Sequence, residues 1–238
     1  MAIVTRRVDY VDQTTALRGR VYFDDSSSAP RPGVLVSHAW GGRDDFANAQ
    51  AEAMAKLGYV GFALDMYGEG RRGNGVEECQ KLMTPFMEDR ALLARRITAA
   101  LTTLRSLPEV DASRVAAFGF CFGGLCVLDL ARSGADVKGV VSFHGLLKGH
   151  DLPKQKITAK ALVLHGDADP LAPFEDVIAF RNAFNEAGAD WQLHAYGKIL
   201  HAFAVPGANM PGIAAHDAVA EARSQAALRN FLSEVLAD

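Results

Sequence analysis

Short apolar runs rich in β-formers alternate along the chain with longer stretches of helical period. Residues 3–10 and 17–23 read as an N-terminal antiparallel pair of strands. The turn Ser26-Ser27-Ser28-Ala29-Pro30-Arg31-Pro32-Gly33 leads to a buried strand over 34–38. Helical spacing covers 44–57 and stops at Gly58, and a further strand covers 59–65. Four glycines between Gly68 and Gly75 exclude a helix, because each costs about 1 kcal/mol relative to alanine. Residues 76–106 read as helical, with an interruption expected at Pro85. A strand over 114–120 precedes a helix over 122–132. Strands at 137–143 and 160–166 are separated by a loop. A helix over 174–187 stops at Gly188, a strand covers 190–196, and a last helix is expected over 213–236.

This rhythm predicts an α/β protein with a mostly parallel sheet covered by helices on both faces. No linker, repeat or low-complexity tract divides it, so one domain over 1–238 is expected. Such sheets place their chemistry on loops at the carboxyl ends of strands.

Composition narrows the function classes. Hydrophobic residues make up 49% of 238 residues, enough for a substantial core. The formal net charge of −3 offers no general basic surface, so neither nucleic acid nor an anionic membrane is an expected partner. No window approaches the roughly 20 apolar residues of a membrane span. Residues 1–7 lack the apolar core of a signal peptide. The three cysteines, Cys79, Cys121 and Cys126, show no zinc-binding spacing and cannot all pair within one chain. A reducing cytoplasm fits that usage. No metal or cofactor is expected, and the chain is expected to act as a monomer or small homo-oligomer on a small molecule.

The chemistry centres on Gly119-Phe120-Cys121-Phe122-Gly123-Gly124, which joins an apolar strand to a helix. A Gly-x-nucleophile-x-Gly unit in that setting is a nucleophile elbow. The tight turn demands small neighbours and lifts one side chain, here a thiol, onto the N-terminus of a helix. The thiol needs a base, and the base needs an orienting carboxylate. The acid candidates lie where a strand runs into Gly166-Asp167-Ala168-Asp169, and the base candidate is His201 in the loop after the strand at 190–196. All follow strand ends, in the order nucleophile, acid, histidine.

At these residues the chain resembles the dienelactone hydrolase family of the α/β-hydrolase superfamily. The family's Gly-x-Cys-x-Gly-Gly motif is similar to Gly119 to Gly124, its Gly-x-x-Asp to Gly166 to Asp169, and its His-x-Phe to His201 to Phe203. Leu64-Asp65-Met66-Tyr67 is similar to its Pro-Asp-Leu-Tyr. The resemblance runs from about residue 34 to the final helix. It implies Cys121 as nucleophile, His201 as base and Asp169 as its orienter, acting on an ester or lactone without a metal. The rival acid, Asp167, is read as capping the loop. A thiol at a helix N-terminus beside a histidine ionises readily. The Phe122 and Ala39 backbone N–H groups are the candidate oxyanion donors.

Two positions depart from the family pattern. His38 stands where the family carries a glutamate, and Val205 where its type members place a substrate-clamping arginine four residues after the catalytic histidine. Loss of that charge-assisted contact points to neutral esters or lactones rather than carboxylated dienelactones. Activated phosphoesters are a second class open to a thiolate. Strand-end placement makes His38, Trp40, Tyr67, Phe143, His144 and Phe203 candidate pocket residues. Each has an ordinary core or loop reading beside it, and His38 divides evenly between the two. Arg71 and Arg72 are expected to be solvated charges on the glycine-rich loop. His165 is read as a satisfied core histidine, His150, His194 and His216 as structural or exposed, and Cys79 and Cys126 as inert. A binding protein on a hydrolase fold and a thiol redox sensor are the competing readings. The sensor lacks an evident resolving cysteine.

Overall fold

The protein's structure, a computed structural model, describes residues 2–26 and 28–237. Met1, Ser27 and Asp238 lie outside the described residues, and with Ser27 one position of the turn expected over 26–33. The chain forms two compact units, Met1–Phe118 and Gly119–Asp238.

The first unit holds β1 (Ile3–Asp12), β2 (Thr15–Asp24), β3 (Arg31–Ser37), α1 (Asp45–Lys56), β4 (Val60–Ala63), α2 (Val76–Glu88), α3 (Arg90–Ser106) and most of β5 (Val110–Phe120). The expected antiparallel pair is present, with β1 and β2 in register from Ile3 opposite Asp24 to Asp12 opposite Thr15. β4 pairs antiparallel with β2 and parallel with β3. Val34, Leu35, Val36, Val60 and Phe62 are all fully buried. That continuous burial explains why β3 and β4 read as unbroken apolar runs instead of alternating ones. Asp44 starts α1 by accepting the Ala47 N–H at 2.8 Å.

The break expected at Pro85 falls instead at Asp89. Pro85 stays inside α2, where it forgoes one backbone bond only a turn from the helix end. Asp89 is extended, at φ −118°, and caps α3 by accepting the Leu92 N–H at 2.8 Å. A capping carboxylate ends one helix and begins the next, and it sets the boundary more strongly than the proline.

The second unit holds α4 (Phe122–Arg132), β6 (Gly139–Phe143), β7 (Lys160–Gly166), α5 (Phe174–Glu186), β8 (Trp191–Tyr196), β9 (Asn209–Met210), β10 (Ala214–Ala215) and α6 (Ala218–Val235). β6, β7 and β8 pair in parallel. Every residue of α4 is buried. The last helix starts later than the sequence suggests, at Ala218, because Asp217 caps it by accepting the Val219 and Ala220 N–H groups. Ala214 and Ala215 belong to a strand paired with Asn209 and Met210.

Together the main strands make an eight-stranded, mostly parallel sheet in the order β1-β2-β4-β3-β5-β6-β7-β8, as the α/β reading anticipated. Among the described residues no helix is long and apolar enough to cross a membrane.

Candidate active site

Cys121 is the single residue between β5 and α4, and it turns the chain at φ 54°. That left-handed backbone is uncommon for a side-chain-bearing residue and marks a functional turn. A Cβ at Gly119 would stand 2.3 Å from the Gly123 carbonyl oxygen, so only glycine permits the elbow. The Cys121 N–H donates to the Phe143 carbonyl at 3.0 Å, which ties the turn to β6. The Cys121 side chain makes no capping bond to α4. Its half-buried thiol therefore sits at the positive end of a helix dipole. Cys79 and Cys126 are buried, as their inert reading requires, and burial pushes the Cys79 thiol up.

The acid and base loops are laced together. A Cβ at Gly166 would meet the Ile199 and Leu200 carbonyl oxygens at 2.5 and 2.7 Å. The Ala168 N–H donates to the Ile199 carbonyl at 2.9 Å, and the Asp167 N–H to the Tyr196 carbonyl at 3.0 Å. This close approach is what the motif glycine provides. Asp169 is buried; its Oδ1 accepts the Leu171 N–H at 2.8 Å, and its Oδ2 lies 2.7 Å from His201 Nδ1. The rival, Asp167, has an exposed side chain, and its loop bond is made by its backbone.

His201 is also gripped from its other side. Its N–H donates to the Ile213 carbonyl at 3.2 Å, and its carbonyl accepts the Ala215 N–H at 3.0 Å. The β9–β10 ribbon is thus a backbone brace for His201, one that sequence reading missed. Two-residue strands are too short to show a period; Pro211-Gly212 was the available turn signal.

Burial opposes a charge on His201, but the Asp169 hydrogen bond and the Cys121 thiol raise its pKa to about 10. The imidazolium is therefore favoured at neutral pH. Nε2 is buried and makes no bond of normal hydrogen-bond geometry. The Cys121 thiol nevertheless helps the ring to hold its proton.

The aromatic candidates fall into two groups. In the second unit, His144 packs 4.9 Å from His201 and 5.3 Å from Phe203 between ring centroids, while Phe143 stacks 4.7 Å from Phe120. In the first unit, the His38 ring lies 4.9 Å from Tyr67, and Tyr67 donates its hydroxyl to the Trp40 carbonyl at 2.7 Å. His38 Nε2 accepts the Met66 N–H at 3.2 Å and Nδ1 faces the Ala39 carbonyl at 2.7 Å. Both ring nitrogens thus serve the loop backbone, and burial holds the ring's pKa down. Below it the buried Asp65 carboxylate gathers the N–H groups of Arg18, Tyr67, Gly68 and Gly70.

Arg71 is turned onto the Tyr67 and Gly68 carbonyls of its own loop, and Arg72 is half exposed, 4.0 Å from Asp45. Arg72 fits the reading of a solvated loop charge, whereas Arg71 is tied to its own loop. His194 is exposed, His216 pairs with Glu221 at 2.7 Å, and His150 Nδ1 accepts the Leu152 N–H at 3.2 Å. His165 differs from its expectation, since its buried Nδ1 has no hydrogen-bond partner among the described residues. Among those residues, no group of three or more His, Cys, Asp or Glu side chains is placed to hold a metal ion.

The chain is 39% identical to a dienelactone hydrolase-like promiscuous phosphotriesterase from metagenomic libraries, with a TM-score of 0.94 over 99% of both chains. It is 40% identical over 152 residues to an uncharacterized protein of Caenorhabditis elegans, covering 61% of this chain and 95% of that one. It is 27% identical over 217 residues to a probable 2-oxo-3-(5-oxofuran-2-ylidene)propanoate lactonase of a Bradyrhizobium species, covering 85% and 86% of the two chains. Residues 17–236 match the profile of the dienelactone hydrolase family. The chain belongs to that family, and it is a hydrolase of the ester- and lactone-cleaving kind.

Proposed function

We propose that the protein hydrolyses neutral esters or lactones through a Cys121 acyl-enzyme, with His201 as base and Asp169 as its orienter. The observation that supports this is the buried His201, bonded to Asp169 through Nδ1 at 2.7 Å, with Nε2 buried and unbonded and the Cys121 thiol helping to hold the ring's proton. The Cys121 thiolate attacks the carbonyl carbon. The oxyanion is met by the Phe122 N–H at the start of α4. Collapse expels the alcohol, which takes its proton from the His201 imidazolium, and leaves a thioester. Water then adds to the thioester carbon, His201 takes a water proton, and the C–S bond breaks to return the thiolate and release the acid. Val205, in place of an arginine, supports neutral over carboxylated substrates. A reducing cytoplasm, which keeps the thiol free, belongs to the same proposal.

A second substrate class, activated neutral phosphoesters, is favoured by the likeness to a promiscuous phosphotriesterase along nearly the whole chain. A thiolate attacks phosphorus as it attacks carbon, and an aryloxide leaves from either centre.

The test is release of phenol from an aryl acetate and from a diethyl aryl phosphate near pH 7, with Cys121→Ala and His201→Ala beside the parent. Steady turnover lost at least about 10³-fold in both variants is expected. Full activity in Cys121→Ala would reject the covalent route. A one-equivalent burst that then stops, in the parent, would favour a binding protein with a reactive thiol.

A further inference from the structure

His144 lies directly after β6, one residue beyond the carbonyl that holds the Cys121 N–H. Its own N–H donates to the Leu164 carbonyl at 2.8 Å. Its φ is 37°, beside 54° at Cys121 and 55° at Ala202, the residue after His201. Backbone strain is thus held at the nucleophile, beside the base, and at His144.

The side chain is wholly buried. Its ring meets that of His201 at 69° and that of Phe203 at 81°, both edge to face, and Phe120 packs at 5.8 Å. Phenylalanine is the ordinary residue for such an aromatic cluster. Yet both imidazole nitrogens are buried with no hydrogen-bond partner among the described residues. Burial, and then the neighbouring His201, hold the ring neutral against a smaller pull from its own backbone carbonyl, to which it makes no bond of hydrogen-bond geometry, and its pKa lies well below the usual histidine value. A neutral imidazole carries one donor and one acceptor. Leaving both unused is costly, unless a partner arrives during the reaction.

Two half-reactions are available to use them. In the first, the leaving oxygen needs one proton, which His201 supplies. In the second, water brings two protons. His201 takes one, and the other needs an acceptor nearby.

We propose that His144 is a positioning residue of the second half-reaction, fixing the His201 ring edge to face and accepting a hydrogen bond from the water that opens the acyl-enzyme. This rests on the acyl-enzyme reading above. In the step the water oxygen bonds to the thioester carbon and one proton passes to His201 Nε2. The other O–H points to the unpaired nitrogen of His144. The C–S bond then breaks, returning the thiolate and the free acid, and no proton rests on His144 at any point.

The test compares the parent with His144→Phe, which keeps an aromatic ring, and His144→Gln, which keeps a donor and an acceptor. Each is mixed rapidly with a chromogenic aryl acetate. The burst reports acylation, the steady rate reports deacylation, and intact mass detects the acetyl adduct. In His144→Phe the burst rate is expected to stay within about threefold and the steady rate to fall at least about tenfold, the effect of one well-placed hydrogen bond, with adduct accumulating. His144→Gln should recover part of the loss. An unchanged steady rate in His144→Phe, a parallel fall of both rates, or equal rates in the two variants would each overturn the assignment. Should His144→Phe fail to fold, His144→Leu makes the same comparison against His144→Gln. Failure of the acyl-enzyme reading itself is separate: the parent would then turn over with no dependence on Cys121.

Discussion

His38 in the first unit and His144 in the second are both buried histidines that follow a sheet strand, and both are disfavoured as cations by burial. They differ in where their nitrogens go. His38 spends one on the Met66 N–H and the other on the Ala39 carbonyl, so its ring splices two loops together. His144 spends neither. Burial alone therefore does not say whether a histidine is structural or functional; the hydrogen-bond account does. A satisfied ring is part of the scaffold, whereas an orphaned ring against His201 is suited to a partner that comes and goes.

The largest expected effect lies in the second unit. Asp169→Asn keeps the size of the side chain but removes the charge that orients His201 and holds its proton. Ester turnover should fall about 10³–10⁴-fold, the scale seen when a triad carboxylate is neutralised. A loss under tenfold would mean that the 2.7 Å contact is packing alone.

The same contact makes stability depend on pH. His201 is raised in the folded state from an ordinary 6.5 to about 10. A raised pKa means that the folded protein binds the proton more tightly than the unfolded chain. The stabilisation is therefore complete below about pH 6.5 and is lost as pH rises through about 10. In urea melts from pH 6 to 10, the parent should lose stability with rising pH more steeply than His201→Ala. Parallel curves would show that His201 is not held as a cation.

Much of this site was legible because its parts are written as short local motifs. Gly119 to Gly124 carries its own steric logic, and Gly166 to Asp169 and His201 follow in a fixed order after strand ends. The choice of Asp169 over Asp167 rested on the family pattern, and the geometry gives it a physical reason: one side chain is buried on His201 and the other is exposed. The β9–β10 brace was not legible, since its information lies in the pairing of His201 with Ala214 across intervening loop. The helix break was misplaced because proline is conspicuous and a capping aspartate is not. The roles of His38 and His144 were beyond reach for a related reason. Each depends on backbone groups distant in sequence, and nothing within Ser37-His38-Ala39 or Phe143-His144-Gly145 distinguishes a ring with two partners from a ring with none.

That contrast yields the smallest expected effects and the sharpest comparison. Replacing each histidine by phenylalanine keeps an aromatic ring and deletes two nitrogens. At His38 the substitution strands the Met66 N–H, while the Ala39 carbonyl keeps the Gly42 N–H at 3.2 Å, and an unsatisfied buried group costs about 1–3 kcal/mol. His38→Phe should therefore lose about 1–3 kcal/mol in a urea melt. At His144 nothing is stranded, because nothing was bonded. Removing two desolvated nitrogens favours the fold, while the larger ring in a filled cluster opposes it by about 1–3 kcal/mol at most. The two contributions leave His144→Phe within about 1 kcal/mol of the parent. Equal losses at the two positions would mean that His144 does have a partner in the folded resting enzyme, and would remove the ground for giving it one during hydrolysis. A stable His144→Phe that accumulates its acyl adduct would show the opposite: a residue retained at no benefit to the fold, for a hydrogen bond made only during turnover.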